Sequence, residues 1–235
     1  MSEVLVVRHA QAAFGSKNYD QLSPLGHAQA ALLGDYLAEL HAPFAAVACG
    51  GMRRHRETLD AIEAAASKRG HAVVEAQCIT GLDEFDHRDV LAVFAQRHAS
   101  DPVVAAAQGG SSRDLRAVYF FLRAALLAWA SGTLDDAVRE PWSAFKQRVR
   151  DAGGELAALA ARHERLLVVT SGGVMAQLAA AALDVPDASA VELNLAIRNS
   201  AISEFRAVDG ALRLASWNAL PHLASPERRA MWTHY

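Results

Sequence analysis

Three short apolar runs limit how this chain can fold. Val4 to Val7, Phe44 to Cys49 and Leu166 to Thr170 each read as a buried strand, and each is followed by apolar residues at helical spacing. Strand, polar or glycine turn, helix is the repeat that builds parallel strands with helices on both faces, joined by right-handed crossovers. Ser200 to Val208 and Ala211 to Trp217 flank Asp209-Gly210, a two-residue turn signal that predicts an antiparallel hairpin at the sheet edge. The expected fold is α/β: a three-layer αβα domain spanning residues 1–235, with a mostly parallel sheet.

Between these landmarks the spacing predicts further elements. Ser23-Pro24 supplies an N-cap and a proline at the first helical position. Leu25, Ala28, Leu32, Tyr36, Leu37 and Leu40 then define a helix ending before Pro43. Met52 to Arg69 is a second helix closed by Gly70, and His71 to Ala76 contains a third short strand. Helical spacing recurs over Arg88 to His98 and Ser112 to Ala130, with breaks at Asp101-Pro102 and Gly109-Gly110-Ser111. Pro141 to His163 reads as a helix interrupted or bent at Gly153-Gly154. This helical third, about 88–163, is taken as an insert or cap. Val174 to Leu183 is a helix stopped by Asp184-Val185-Pro186.

Composition excludes several classes of partner. A net charge of -3, without any long basic run, offers nucleic acid no field. The first apolar run, four residues after an acidic Glu3, is too short for a signal peptide core or a membrane span, so the expected location is the cytoplasm. Cys49 and Cys78 have no metal-type spacing and are too few for a disulfide framework; both are read as small core residues.

In an open α/β sheet, ligands sit beyond the carboxyl ends of the strands. Arg8-His9 lies at the end of the first run. Ser171-Gly172-Gly173 follows the Leu166 run at a helix N-terminus, where backbone N–H groups and the dipole favour an anion. The polar stretch Gln11 to Leu22, which includes Asn18, adjoins His9 and is a candidate substrate loop.

Taken in order, these features resemble the histidine phosphatase superfamily, the phosphoglycerate-mutase-like proteins. The family's first strand ends in Arg-His-Gly, matched here by Arg8, His9 and Ala10. Its Leu-Thr/Ser motif with a following Gly and Gln-Ala is matched from Leu22-Ser23 through Gly26 to Gln29-Ala30. Its second arginine, four residues before a threonine, corresponds to Arg54 and Thr58; its proton donor, after a leucine and one variable residue, points to Glu84. Asn199-Ser200, Asn218 and His222-Leu223 are also similar to it. Two positions depart from the pattern. Ala10 replaces a glycine, and in Val169-Thr170-Ser171-Gly172-Gly173 a serine stands where the family has a second catalytic histidine.

The resemblance implies a phosphomonoester phosphatase of reduced or specialised activity that passes through a phosphohistidine on His9. Arg8 and Arg54 would grip the phosphate, with Ser171, Gly172 and Asn18 as further contacts and Glu84 as acid and base. Arg53 and Arg56 are expected in solvent. His55 could lend the missing charge but is expected to face elsewhere. Asp83, Asp86 and His87 cluster in sequence without a second set of ligands, so neither a metal nor an organic cofactor is implied.

Substrates would be small phosphomonoesters or a phosphoprotein, and the sheet edge leaves a homodimer open. Two other readings within this pocket are a module that binds phosphate without turnover and a phosphoglycerate-type mutase. Ser171 as a hydrolase nucleophile lacks the preceding glycine of a nucleophile elbow, because that position is Val169.

Overall fold

The computed structural model describes residues 2–13, 20–41, 43–109 and 115–234. One six-stranded sheet runs through it in the order β3-β2-β4-β1-β5-β6. The strands are β1 (Ser2–Arg8), β2 (Ala46–Cys49), β3 (Ala76–Cys78), β4 (Arg165–Thr170), β5 (Ile202–Val208) and β6 (Ala211–Ala219). β1 pairs in parallel with β4, as β2 does with β4 and with β3, whereas β5 runs antiparallel to both β1 and β6.

Strand alternation divides the interior into two cores. Leu5, Val7, Val47, Cys49, Leu167 and Val169 meet α1 (Pro24–Leu40) and α2 (Arg53–Lys68) through Leu33, Leu37, Leu59 and Ile62. Val4, Val6, Ala46, Ala48, Leu166 and Val168 face the opposite layer. That layer holds α3 (His87–Arg97), α4 (Pro102–Gly109), α5 (Leu115–Ala130), α6 (Trp142–Ala160), α7 (Gly172–Leu183) and α8 (Asp187–Ala196). The helices α3 to α6 all fall between β3 and β4, and Trp129, Trp142, Phe145 and Phe85 pack together in this layer, with ring centroids 4.6 to 5.6 Å apart.

Most sequence-based boundaries agree with this architecture, and the exceptions have local causes. The third strand forms at Ala76–Cys78 rather than from His71, because only those residues reach the register opposite Val47 to Cys49. Cys78 is exposed on this edge, not in the core; Cys49 is buried. Gly153-Gly154 does not break α6: a Cβ on Gly153 would press to 3.1 Å from Leu178 Cδ2, so the glycine lets α6 and α7 approach. Pro102 opens α4 rather than only ending a helix; Asp101 caps it, its Oδ1 accepting from Val103 N at 2.8 Å. The helix α8 was not expected after Pro186. Asp209 and Gly210 both adopt positive φ, 51° and 75°, as a type I′ hairpin turn requires.

Candidate active site

The carboxyl ends of β1, β2 and β4 converge on His9. It is buried, and its Nδ1 lies 2.7 Å from the carbonyl oxygen of Ala10. A carbonyl can only accept, so Nδ1 carries the proton and Nε2 presents a lone pair. Arg54 Nε donates to that Nε2 at 3.1 Å, in agreement with this tautomer. Burial, then Arg54, Arg8 and His55, hold the imidazole well below its usual pKa, so His9 is neutral at physiological pH.

Each neighbour is held by its own element. The Ala10 amide donates to Thr58 Oγ1 at 3.1 Å, and Thr58 donates to the Arg54 carbonyl at 2.8 Å; alanine in place of glycine leaves this backbone contact intact. Arg54 is only 4% exposed, in the first turn of α2, and its Nη1 pairs with Asp20 at 2.7 Å. Asp20 also accepts the Arg53 amide at 2.9 Å, tying the end of the polar loop to the helix start. Arg53 and Arg56 point outward to Glu57, and to Asp60 and Glu63. Arg8 donates through Nη1 to the Ile197 carbonyl at 2.6 Å.

Glu84 reaches the same place from the turn after β3. Its carboxylate accepts from Gly173 N at 3.1 Å, at the start of α7. A Cβ on Gly173 would collide with Glu84 and come within 2.7 Å of Phe85 Cε1; one on Gly172 would stand 3.2 Å from Arg8 Nε. The two glycines therefore let an arginine and a glutamate approach the helix N-terminus. Burial raises the pKa of Glu84 despite the Gly173 bond and the charges of Arg54 and Arg8. Arg148 of α6 fixes this segment, donating to the carbonyls of Asp83 at 2.7 Å and Gly81 at 3.1 Å.

Ser171 is fully buried at the N-cap of α7, and its hydroxyl lies 2.6 Å from Nε2 of His55. This corrects the expectation for His55: the ring is buried and turned toward the site, with its centroid 5.6 Å from that of His9. Sequence reasoning named His55 as a possible charge for the site but turned it away, whereas Arg54 and His55 are both buried there. At the open end of α2 both point into the site. Asp20 was also missed, and only its place in the polar loop marked it.

The expected contact Asn18 lies outside the described residues. Among those described, no group of three His, Cys, Asp or Glu side chains could hold a metal. Asp86 caps α3 and Asp83 accepts the Gly51 amide at 2.5 Å. Asn218 and His222 support the backbone: Asn218 Oδ1 accepts from Arg198 N, and His222 Nε2 lies 2.9 Å from Ser200 Oγ.

The model of the histidine phosphatase superfamily (branch 1) matches residues 4–119 and 119–220. This chain belongs to that superfamily. No curated protein matches the chain. Among solved structures it resembles phosphoglycerate mutase from Bacillus anthracis str. Sterne, with 16% identity, TM-score 0.65 and 94% of each chain covered. It also resembles phosphoserine phosphatase from Entamoeba histolytica, with 14% identity and TM-score 0.64 over 95% of this chain and 100% of that one. A third is mycobacterial glucosyl-3-phosphoglycerate phosphatase in complex with inorganic phosphate, with 21% identity and TM-score 0.62 over 95% and 100%. At these identities the likenesses establish the histidine phosphatase fold.

Proposed function

We propose that this histidine phosphatase hydrolyses phosphomonoesters through a phosphohistidine on His9. The observation that carries the reading is the fixed tautomer: with Nδ1–H held by the Ala10 carbonyl, the Nε2 lone pair faces the side where Arg54 sits. As the ester enters, Arg54 moves its Nε–H from Nε2 to a phosphoryl oxygen and frees the lone pair; Nε2 attacks phosphorus, the P–O ester bond breaks, and the departing oxygen takes a proton from Glu84. Water then attacks the phosphorus, gives a proton to Glu84, and the P–N bond breaks to release orthophosphate and neutral His9. The raised pKa of Glu84 suits it to both steps. Arg8 and Arg54 stabilise the phosphoryl oxygens, and the Gly172 amide adds a donor at the start of α7.

The substrate would be a small cytoplasmic phosphomonoester. Phosphoserine and 3-phosphoglycerate, the ligands named for the Entamoeba histolytica phosphatase structures, are the first to try. The test is hydrolysis of such a panel by wild type and His9→Ala, with labelled substrate to trap an acid-labile phosphoenzyme. Turnover and label in wild type alone are expected. Equal background activity in both proteins without label would leave a phosphate-binding module, and transfer of the phosphoryl group to a second hydroxyl of the substrate would make the chain a mutase.

A further inference from the structure

Arg198 stands one residue beyond Ile197, whose carbonyl holds Arg8. It is half-buried, and its guanidinium carbon lies 4.8 Å from the centre of the Trp232 ring; that of Arg229 lies 3.9 Å from the same ring. Several other surface arginines meet a carboxylate, as Arg97 meets Asp136 and Arg123 meets Glu192. Among the described residues, the side chains of Arg198 and Arg229 make neither a hydrogen bond nor an ion pair. Two like charges over one indole repel, and an anion beside them relieves that repulsion. His234 links this pair to the site. Burial, then Arg198 and Arg8, hold its imidazole below the usual pKa, so both guanidiniums act on one ring, which also bonds the Ile197 carbonyl.

The backbone around Arg198 is fixed from three directions. Asn218 accepts the Arg198 amide at 2.9 Å through Oδ1 and donates to the Ala196 carbonyl at 2.9 Å through Nδ2. The Asn199 amide donates to the Thr233 carbonyl at 2.8 Å and so ties down the segment that carries Trp232; the Ser200 amide donates to the His9 carbonyl at 3.2 Å. Ser200 and Asn218 take left-handed φ of 58° and 57°, a conformation that residues other than glycine hold only where their surroundings impose it. A guanidinium seated over an indole keeps its N–H edge for a planar anion.

We propose that Arg198, seated on Trp232, is a specificity-determining residue that binds a second anionic group on the substrate's leaving portion, a carboxylate or a second phosphate. This rests on the reading that His9 takes the phosphoryl group of the same substrate. Arg8 and Arg54 hold the transferred phosphate, while Arg198 meets the far group with paired N–H···O bonds. An ester with an uncharged leaving portion uses only the first grip.

The test uses matched esters that differ in the second charge: phosphoserine against phosphoethanolamine, 3-phosphoglycerate against glycerol 3-phosphate, and fructose 1,6-bisphosphate against fructose 6-phosphate. The first two pairs read a carboxylate, and the third a phosphate at longer reach. Turnover is measured as separate kcat and KM for wild type, Arg198→Gln and Arg198→Lys, with thermal melts to check folding. In at least one pair wild type should favour the member with the second charge by about 10- to 100-fold in kcat/KM. Arg198→Gln should remove most of that preference through KM, with a smaller change for the uncharged member. Arg198→Lys, which keeps the charge without the planar fork, should fall between the two.

No preference in any pair overturns the proposal, and so does an equal loss for both members of the preferred pair in folded Arg198→Gln. If Arg198→Gln does not fold, a preference unchanged in Arg198→Lys overturns it too. Should wild type turn over none of these esters, the same ranking is read from their affinities by calorimetry. A preference in affinity that Arg198→Gln loses would then overturn hydrolysis alone and keep the subsite, whereas equal affinities within every pair would overturn the subsite.

Discussion

At the scale of single residues, the candidate site is a set of side chains whose protonation is fixed by burial. Glu84 is held easier to protonate than an ordinary carboxylate, and its Gly173 contact keeps it at the start of α7. Glu84→Gln should therefore lower kcat by about 10²- to 10⁴-fold. The loss should be smaller for a leaving group, such as p-nitrophenol, that needs little protonation; equal losses for both ester types would remove Glu84 from the acid role.

Arg8 and His9 could be picked out at a strand end, and Arg54 and Glu84 through the resemblance to the superfamily's motifs; the structure brings Arg54 to His9 and Glu84 to the start of α7. His55 could not be placed. Its partner Ser171 lies 116 positions away, and only the adjacency of β2 and β4 brings the two together.

At the scale of elements, α6 is more than a cover for the sheet. Arg148 pairs with Glu140 at 2.8 Å and reaches the carbonyls of Gly81 and Asp83, so this helix sets the path of the segment that carries Glu84. Arg148→Ala should leave the fold intact and lower kcat about ten- to a hundredfold with a smaller change in KM, since a displaced proton donor misaligns the reaction more than it weakens binding. Steady-state kinetics beside a thermal melt checks this. Strand and helix identities were readable where the apolar pattern was strong, as continuous runs in β1 and β4 and as helical spacing in α1 and α2. They were not readable where partners decide: β3 is placed by the register of β2, and Gly153 of α6 stands where Leu178 packs close.

At the scale of the whole molecule, buried neutral histidines link folding to pH. Burial holds His55 down to about 3 and, followed by Arg228, His222 down to about 4. The unfolded chain binds protons at these imidazoles below about pH 6.5, whereas the folded chain does not until pH falls to those lower values. Their contribution is thus fully present above pH 6.5 and is lost as pH falls toward 4, at up to about 1.4 kcal/mol per pH unit for each group. Glu84, easier to protonate when folded, opposes this in part. The melting temperature should fall steadily from pH 7 to pH 4.5, and less steeply in His222→Gln; a flat profile would contradict this balance.

The position of β1 also has a consequence in time. The first strand made is central in the sheet, and its hydrogen-bonding partners begin at Arg165 in β4 and Ile202 in β5. During synthesis the segment that ends in Arg8-His9 has no neighbour in the sheet until the chain has passed Arg165, and its second edge waits for β5. Contacts so distant in sequence form late and slowly. A chain halted before β5 therefore carries the histidine on a strand with one edge still unpaired.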